Sequence, residues 1–231
     1  YRVVIEVREN GSLKILEDIT FRFIRGSFSY AYREIPYKGF DEIFVLGVTS
    51  PQGLLGYEVE EGARSIRITW YYPRTESPAE REFIIEYEVT NAIGLATKLQ
   101  NSLDWDAIGA GWPVPIRSVE VEVILPGDFI GKAEFSFSPL DEGEAFRRDN
   151  KTVIIFRHSE LPPNTAYRVV VYFPKIYQPS YSLARICRDS PFSTGLVSFL
   201  TVTIGIVVVW AVKGREPKVE VQPQPVLPSI T

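Results

Sequence analysis

The chain alternates between apolar and polar positions over most of its length. Residues 2–9, RVVIEVRE, put apolar side chains on one face of an extended strand and polar ones on the other. Asn10-Gly11 follows, the strongest short hairpin signal. Residues 13–23 alternate again, with Leu13, Ile15, Ile19, Phe21 and Phe23 in one phase. Glu17 interrupts that phase, which predicts a sheet edge or a bulge there. Further strand-like runs cover 42–48, 65–72 and 82–90, with turn signals at 51–53 and 61–62. The first half therefore predicts an antiparallel sandwich.

Residues 91–116 lack long alternation and predict a hinge, with a helical turn near 96–103. Trp105 and Trp112 bracket a Gly-rich loop within it. Alternation resumes with Val119, Val121 and Val123 opposite Glu120 and Glu122. Runs at 133–137, 152–157 and 166–173 complete a second, smaller unit with an immunoglobulin-like pattern of short strands and frequent turns.

The run 190–212, SPFSTGLVSFLTVTIGIVVVWAV, carries no charge. A bilayer core needs about 20 apolar residues in a helix, whereas strands rarely exceed about 10. Pro191 suits a first helical turn, and Trp210 suits a membrane interface. Thr194, Ser198, Thr201 and Gly205 recur along one side and predict a helix-packing stripe. The pattern as a whole predicts a mainly β chain. Two antiparallel β-sandwich units stand in tandem, 1–95 and 117–174, joined by 96–116. A stalk at 175–189, one transmembrane α-helix at 190–212 and a Pro-rich tail at 213–231 follow.

Composition narrows the function. The net charge of −4, with basic residues scattered among acidic ones, argues against nucleic acid as a partner. The expected partners are membrane lipid and other membrane-protein subunits. One Cys excludes an intrachain disulfide, and one His excludes a multi-histidine metal site within the chain. Lys175, Arg185 and Arg188 before the span balance Lys213, Arg215 and Lys218 after it, so charge does not orient it. The chain holds no Met, even at position 1. That fits a cleaved leader, or a trimmed chain, and with a leader residues 1–189 lie outside the cytoplasm.

Candidate chemistry is sparse. His158, in FRHSE, reads as a loop histidine just after a strand. Cys187, between Arg185 and Arg188, reads as an unpaired thiol rather than an activated or interchain-bonded one. Asp104 and Asp106 flank Trp105 and could help hold a hard cation, but a solvated turn explains them better. The same holds for Asp141 and Glu142 with Glu144. Asn10-Gly-Ser12 and Asn150-Lys-Thr152 fit the N-glycosylation pattern. No phosphate loop, nucleophile elbow or carboxylate pair stands out. The expectation is no enzyme, no cofactor and no metal.

The densest aromatic stretch is GSFSYAYREIPYKGF, 26–40. Phe28, Tyr30 and Tyr32 share one strand face and are expected mainly in the sandwich's packing. Arg33 opens to the other face and is expected to hold the strand to a carboxylate or to backbone carbonyls. The alternative is a binding surface made of Tyr30, Tyr32, Arg33, Trp105 and Trp112.

FRFIRGSFSYAYREIP resembles the pattern G-x-F…R-x-I-P of the DUF2207 family of predicted membrane proteins. LDWDAIGAGWPVPIRSVEVEVILP resembles that family's Trp-centred loop leading into a strand that ends in Leu-Pro. KGREP after the span resembles its Gly-Arg-Asp-Pro motif, with Glu216 in place of Asp. The resemblance implies an exported β-rich domain anchored by a membrane helix. It supplies no catalytic residues. Longer members continue into further membrane helices, so this chain resembles a shortened form suited to a small subunit. Two function classes follow: a non-catalytic accessory or scaffold subunit of a membrane complex, or an extracytoplasmic binder or sensor of a sugar, peptide or envelope ligand.

Overall fold

The computed structural model describes residues 1–139, 142–189 and 191–214. It divides into two compact units, Tyr1–Asp189 and Ser190–Thr231.

The first unit is mainly β. Its largest sheet has seven strands: β1 (Arg2–Val7), β2 (Leu13–Phe23), β4 (Ile43–Thr49), β7 (Ala79–Val89), β10 (Ile116–Leu125), β12 (Glu142–Arg148) and β13 (Lys151–Leu161). They run in the order β12-β13-β10-β1-β2-β7-β4. A three-stranded sheet, β3-β6-β5, is built from β3 (Ser27–Pro36), β5 (Gly56–Glu61) and β6 (Ser65–Glu76). A four-stranded sheet, β11-β14-β9-β8, is built from β8 (Gly94–Thr97), β9 (Gln100–Ile108), β11 (Glu134–Ser138) and β14 (Tyr167–Pro174).

Period-two alternation gives the large sheet one apolar and one charged face. Across it, Phe156, Val121, Val3, Glu17 and Ile85 form one cross-strand row, and Ile154, Val123, Ile5, Ile15 and Tyr87 the next. All ten side chains are buried. The opposite face carries ion pairs: Lys14 with Glu86 and Arg157 with Glu120 between neighbouring strands, Lys151 with Glu6 across β10, and Arg8, just past β1, with Glu88. Both smaller sheets cover the apolar face. Trp70 and Tyr72 of the three-stranded sheet meet Phe83 of β7, with ring centroids 5.5 and 4.9 Å apart. Phe135 and Phe137 of the four-stranded sheet meet Phe156 of β13 at 5.5 and 5.3 Å.

This arrangement corrects the tandem organisation. The large sheet draws strands from both halves of the chain, and β1 runs parallel to β10, with Val3 beside Val121 and Ile5 beside Val123. A parallel neighbour requires a long crossover, and the crossover here is almost the whole first half. Alternation reveals which side chains face inward but not which strand lies alongside. Residues 96–116 are accordingly no hinge. They contain the second half of β8 and all of β9, and the helical turn expected at 96–103 is the β8–β9 hairpin.

The expected stalk at 175–189 is also corrected, because it lies against the β body. Asn101, fully buried, accepts bonds from the Ile176 and Tyr177 amides at 2.8 and 2.9 Å and donates to Tyr177 O at 2.9 Å. Tyr177 OH donates to Asn91 Oδ1 at 2.8 Å, and its ring lies against Gly11 of the first hairpin turn. Gly11 has φ +77°, and a Cβ there would fall 2.3 Å from that ring, so both the turn and the contact require glycine. Helix α1 (Leu183–Asp189) follows, with the Ser182 hydroxyl accepting the Arg185 amide at 3.1 Å as an N-cap.

The second unit contains helix α2 (Pro191–Lys213). Its described apolar side chains, among them Phe199, Ile204, Val208 and Trp210, are exposed. Among the described residues no helix is long and apolar enough to cross a membrane. The predicted span includes Ser190, and the Thr194 and Ser198 side chains of the packing stripe also lie outside the described residues. Thr201 and Gly205 are exposed on α2. The Pro-rich tail from 215 onward, with the last three residues of the KGREP motif, lies outside the described residues.

Candidate functional site

Glu17 stands between Val3 and Ile85 in an apolar row and is completely buried. The edge or bulge expected for it is not what the fold provides. An ionised carboxylate in such a place needs partners for both oxygens. Tyr87 OH donates to Oε1 at 2.6 Å, and Tyr1 OH donates to Oε2. Arg33 Nε lies 3.2 and 3.0 Å from the two oxygens. Arg33 is itself 4% exposed and extends from β3, so the ion pair ties the three-stranded sheet to the large one.

Burial and the Glu17 charge push the Tyr1 and Tyr87 phenols well above their ordinary range. Burial works against the Arg33 charge, but Glu17 and the two phenols outweigh it and raise its pKa. A phenol whose folded-state pKa is raised contributes stability below its unfolded value, near 10, and loses that contribution as pH rises toward the folded value. Stability should therefore hold to about pH 10 and then fall, by about 1.4 kcal/mol per pH unit for each phenol. Urea titrations at pH 8, 10 and 11 check this. Tyr87→Phe should shrink the alkaline loss, and an equal loss in that variant would contradict the assignment.

A cavity of about 550 Å³ opens beside the pair. Arg33, Ile35, Phe40, Trp105 and the Gly109–Ala110–Gly111 turn line it, together with Lys38 and Asp106. Arg33 Nη1 donates to Glu34 O at 2.9 Å. Its Nη2 has no protein acceptor among the described residues. A Cβ on Gly109 would lie 2.9 Å from Arg33 Nη1, so glycine leaves the guanidinium its room. Phe40 and Trp105 pack at 5.6 Å and give the cavity an aromatic wall.

A family model described as "Predicted membrane protein (DUF2207) N-terminal domain" matches residues 1–173. The chain belongs to the DUF2207 family. No curated protein matches it. Among solved structures it is similar to an M1 zinc metallopeptidase from Deinococcus radiodurans, at 13% identity and TM-score 0.45. A mutant of that enzyme bound to a Tyr-Ser-Ala substrate gives 13% identity and TM-score 0.46. Both matches cover 73% of this chain, which spans 40% of the length of those chains.

Within this DUF2207 domain the predicted site residues part company. Arg33 and Ile35 point inward, while Tyr30 and Tyr32 point outward, 59% and 48% exposed. The expectation that the tyrosines pack is thus overturned, whereas Arg33 does take the other face, which is the buried one. A bulge between Phe28 and Tyr30 lies just before them, and Phe28 stacks on Phe23 at 4.9 Å. Arg33 does bind a carboxylate, that of Glu17. Trp105 is a core residue on the cavity wall, and Trp112 packs edge-on to Tyr1 at 5.7 Å. The structure does not join the two tryptophans to the tyrosines as one surface.

His158 lies within β13 opposite Val119, not in a loop, and its ring is 5.7 Å from that of Tyr167. Asp104 is held by Arg168, with Nε at 2.6 Å, and Glu144 by Arg157 at 2.9 Å. Among the described residues no three His, Cys, Asp or Glu side chains come together as a metal site. Asp141 and the side chains of Glu142 and Cys187 lie outside the described residues. Asn10 turns its Oδ1 back to the Ser12 amide and hydroxyl, and Thr152 is buried.

Sequence reasoning missed Glu17, Tyr87 and Gly109. One signal was present. A carboxylate in phase with Ile15 and Ile19 needs a buried cation, and Arg33, in phase with Ile35, is a candidate.

Proposed function

We propose that this DUF2207 chain is a single-pass membrane protein and a non-catalytic accessory or scaffold subunit of a larger membrane complex. Its β domain lies outside the cytoplasm, and its short tail lies within. The anchor is the uncharged run 190–212, and the reading of it as a span rests on the sequence. The exposed apolar side chains of α2 support it, since lipid or a partner helix would cover them.

One observation carries the subunit reading. On the outer face of the three-stranded sheet, Tyr30 is paired with Tyr71, and Tyr32 lies two residues along β3 from Tyr30. All three rings are exposed. Arg67 sits over the Tyr32 ring at 5.1 Å, and Tyr71 OH donates to Glu58 at 3.1 Å. Rings held in place lose little freedom on docking, and tyrosine and arginine are the residue types that anchor protein interfaces. The occupant is the extracytoplasmic part of another membrane subunit.

Gentle detergent extraction from native membranes, followed by native sizing, tests this. The chain should migrate as a complex larger than its own monomer. Tyr30→Ser with Tyr71→Ser should weaken the association by on the order of tenfold or more. A wild-type monomer would overturn the reading. The cavity beside Arg33 supports a second reading, extracytoplasmic ligand binding.

A further inference from the structure

The cavity beside Arg33 combines a buried cation with an apolar wall. Arg33 uses Nε on Glu17 and Nη1 on the Glu34 carbonyl. The two N–H groups of Nη2 have no protein acceptor among the described residues, although the side chain is almost wholly buried. Nη2 reaches the open space of the cavity, which Arg33 lines, and that is where an acceptor can meet it. The acids along the wall are already engaged. Glu34 accepts from Ser65 Oγ at 2.7 Å and Arg67 Nη2 at 3.1 Å, Asp104 is held by Arg168, and Asp106 faces Lys38 at 4.0 Å. Gly109 leaves room beside the guanidinium, and Ile35, Phe40 and Trp105 supply apolar surface. A volume of about 550 Å³ lies within the usual range for small-ligand sites.

We infer that this cavity binds a small carboxylate with an apolar body, its oxygens accepting from Arg33 Nη2 and its body lying against Phe40 and Trp105. The inference rests on the ligand-binding reading above and names the ligand class. A carboxylate suits the planar fork of a guanidinium, and an N⁺–H···O⁻ bond is roughly twice as strong as a neutral one. Lys38 at the border adds attraction for an anion without entering the buried pair. The carboxylate could belong to a free acid or to the C-terminus of a peptide.

Calorimetry on the full chain in detergent, with defined pairs of probes, tests this. Benzoate is compared with benzamide, and N-acetylphenylalanine with N-acetylphenylalaninamide. The acids should bind at least tenfold more tightly than their amides. Binding of benzoate alone marks a free acid as the source, and binding of N-acetylphenylalanine alone marks a peptide terminus. Ala110→Trp, at an exposed position on the cavity wall, should abolish binding and leave the circular dichroism spectrum unchanged. Lys38→Glu, also on the exposed side, should weaken the acids but not the amides. Equal binding of acids and amides overturns the carboxylate assignment and leaves small-ligand binding standing. Acid binding that survives Ala110→Trp overturns the site. Binding by none of the four probes overturns both the assignment and the reading beneath it.

Discussion

Glu17→Leu should destabilise the domain by about 3–5 kcal/mol, one of the largest losses available from a single side chain. Leucine suits the apolar row between Val3 and Ile85 in size and polarity, so packing alone predicts little change. The cost comes from what remains. Arg33 keeps a buried charge without its counter-ion, and Tyr87 and Tyr1 keep buried hydroxyls without their acceptor. Glu17→Gln should cost less, because an amide oxygen still accepts from a phenol. Glu17→Met with Arg33→Met should recover part of the loss, since removing both charges avoids the unpaired one, while the two phenols stay unsatisfied. Urea midpoints of the wild type, the single variants and the pair give the coupling directly, expected at about 0.5–3 kcal/mol. A Glu17→Leu chain with the wild-type midpoint would mean that the pair does not hold the two sheets together.

The same residue shows how far the sequence could be read. Strand positions were legible where alternation was long. The runs at 2–9, 13–23, 82–90 and 166–173 correspond closely to β1, β2, β7 and β14. The Asn10-Gly11 turn was legible too, because its chemistry is local. What failed was everything that depends on a distant partner. Glu17 looked like an edge residue because a carboxylate in an apolar phase is usually near water, and its partner stands on a different sheet. The phase of β3 was misread for the same reason. Three aromatic rings seemed to need a core more than one arginine did, yet the buried acid draws Arg33 inward and turns Tyr30 and Tyr32 out. Family resemblance gave the domain's kind and its membrane association but not the cavity. The cavity is lined by residues from β3, β8, β9, α1 and four connecting segments, and no spacing rule connects them.

Residues 1–95 expressed alone should fail to fold, although the sequence pattern marks them as a complete sandwich unit. Without β10, one side of β1 from Arg2 to Glu6 loses its parallel neighbour and becomes an unpaired edge. The row through Val3 loses Val121 and Phe156, and the row through Ile5 loses Val123 and Ile154. Trp105, which closes over Phe40, is lost as well, as are the Tyr177 and Arg185 contacts that hold Asn91. A fragment this small can leave little of its apolar face uncovered, because the whole domain is stable by only about 5–15 kcal/mol. Residues 1–189 should show one cooperative urea transition and dispersed amide resonances, since they form one compact unit. Residues 1–95 should show neither, and adding a 96–189 fragment in equal amount should restore some dispersion by re-forming the β1–β10 ladder. A cooperative transition in residues 1–95 alone would mean that the first half carries its own core and that the parallel pairing is a contact between independent domains.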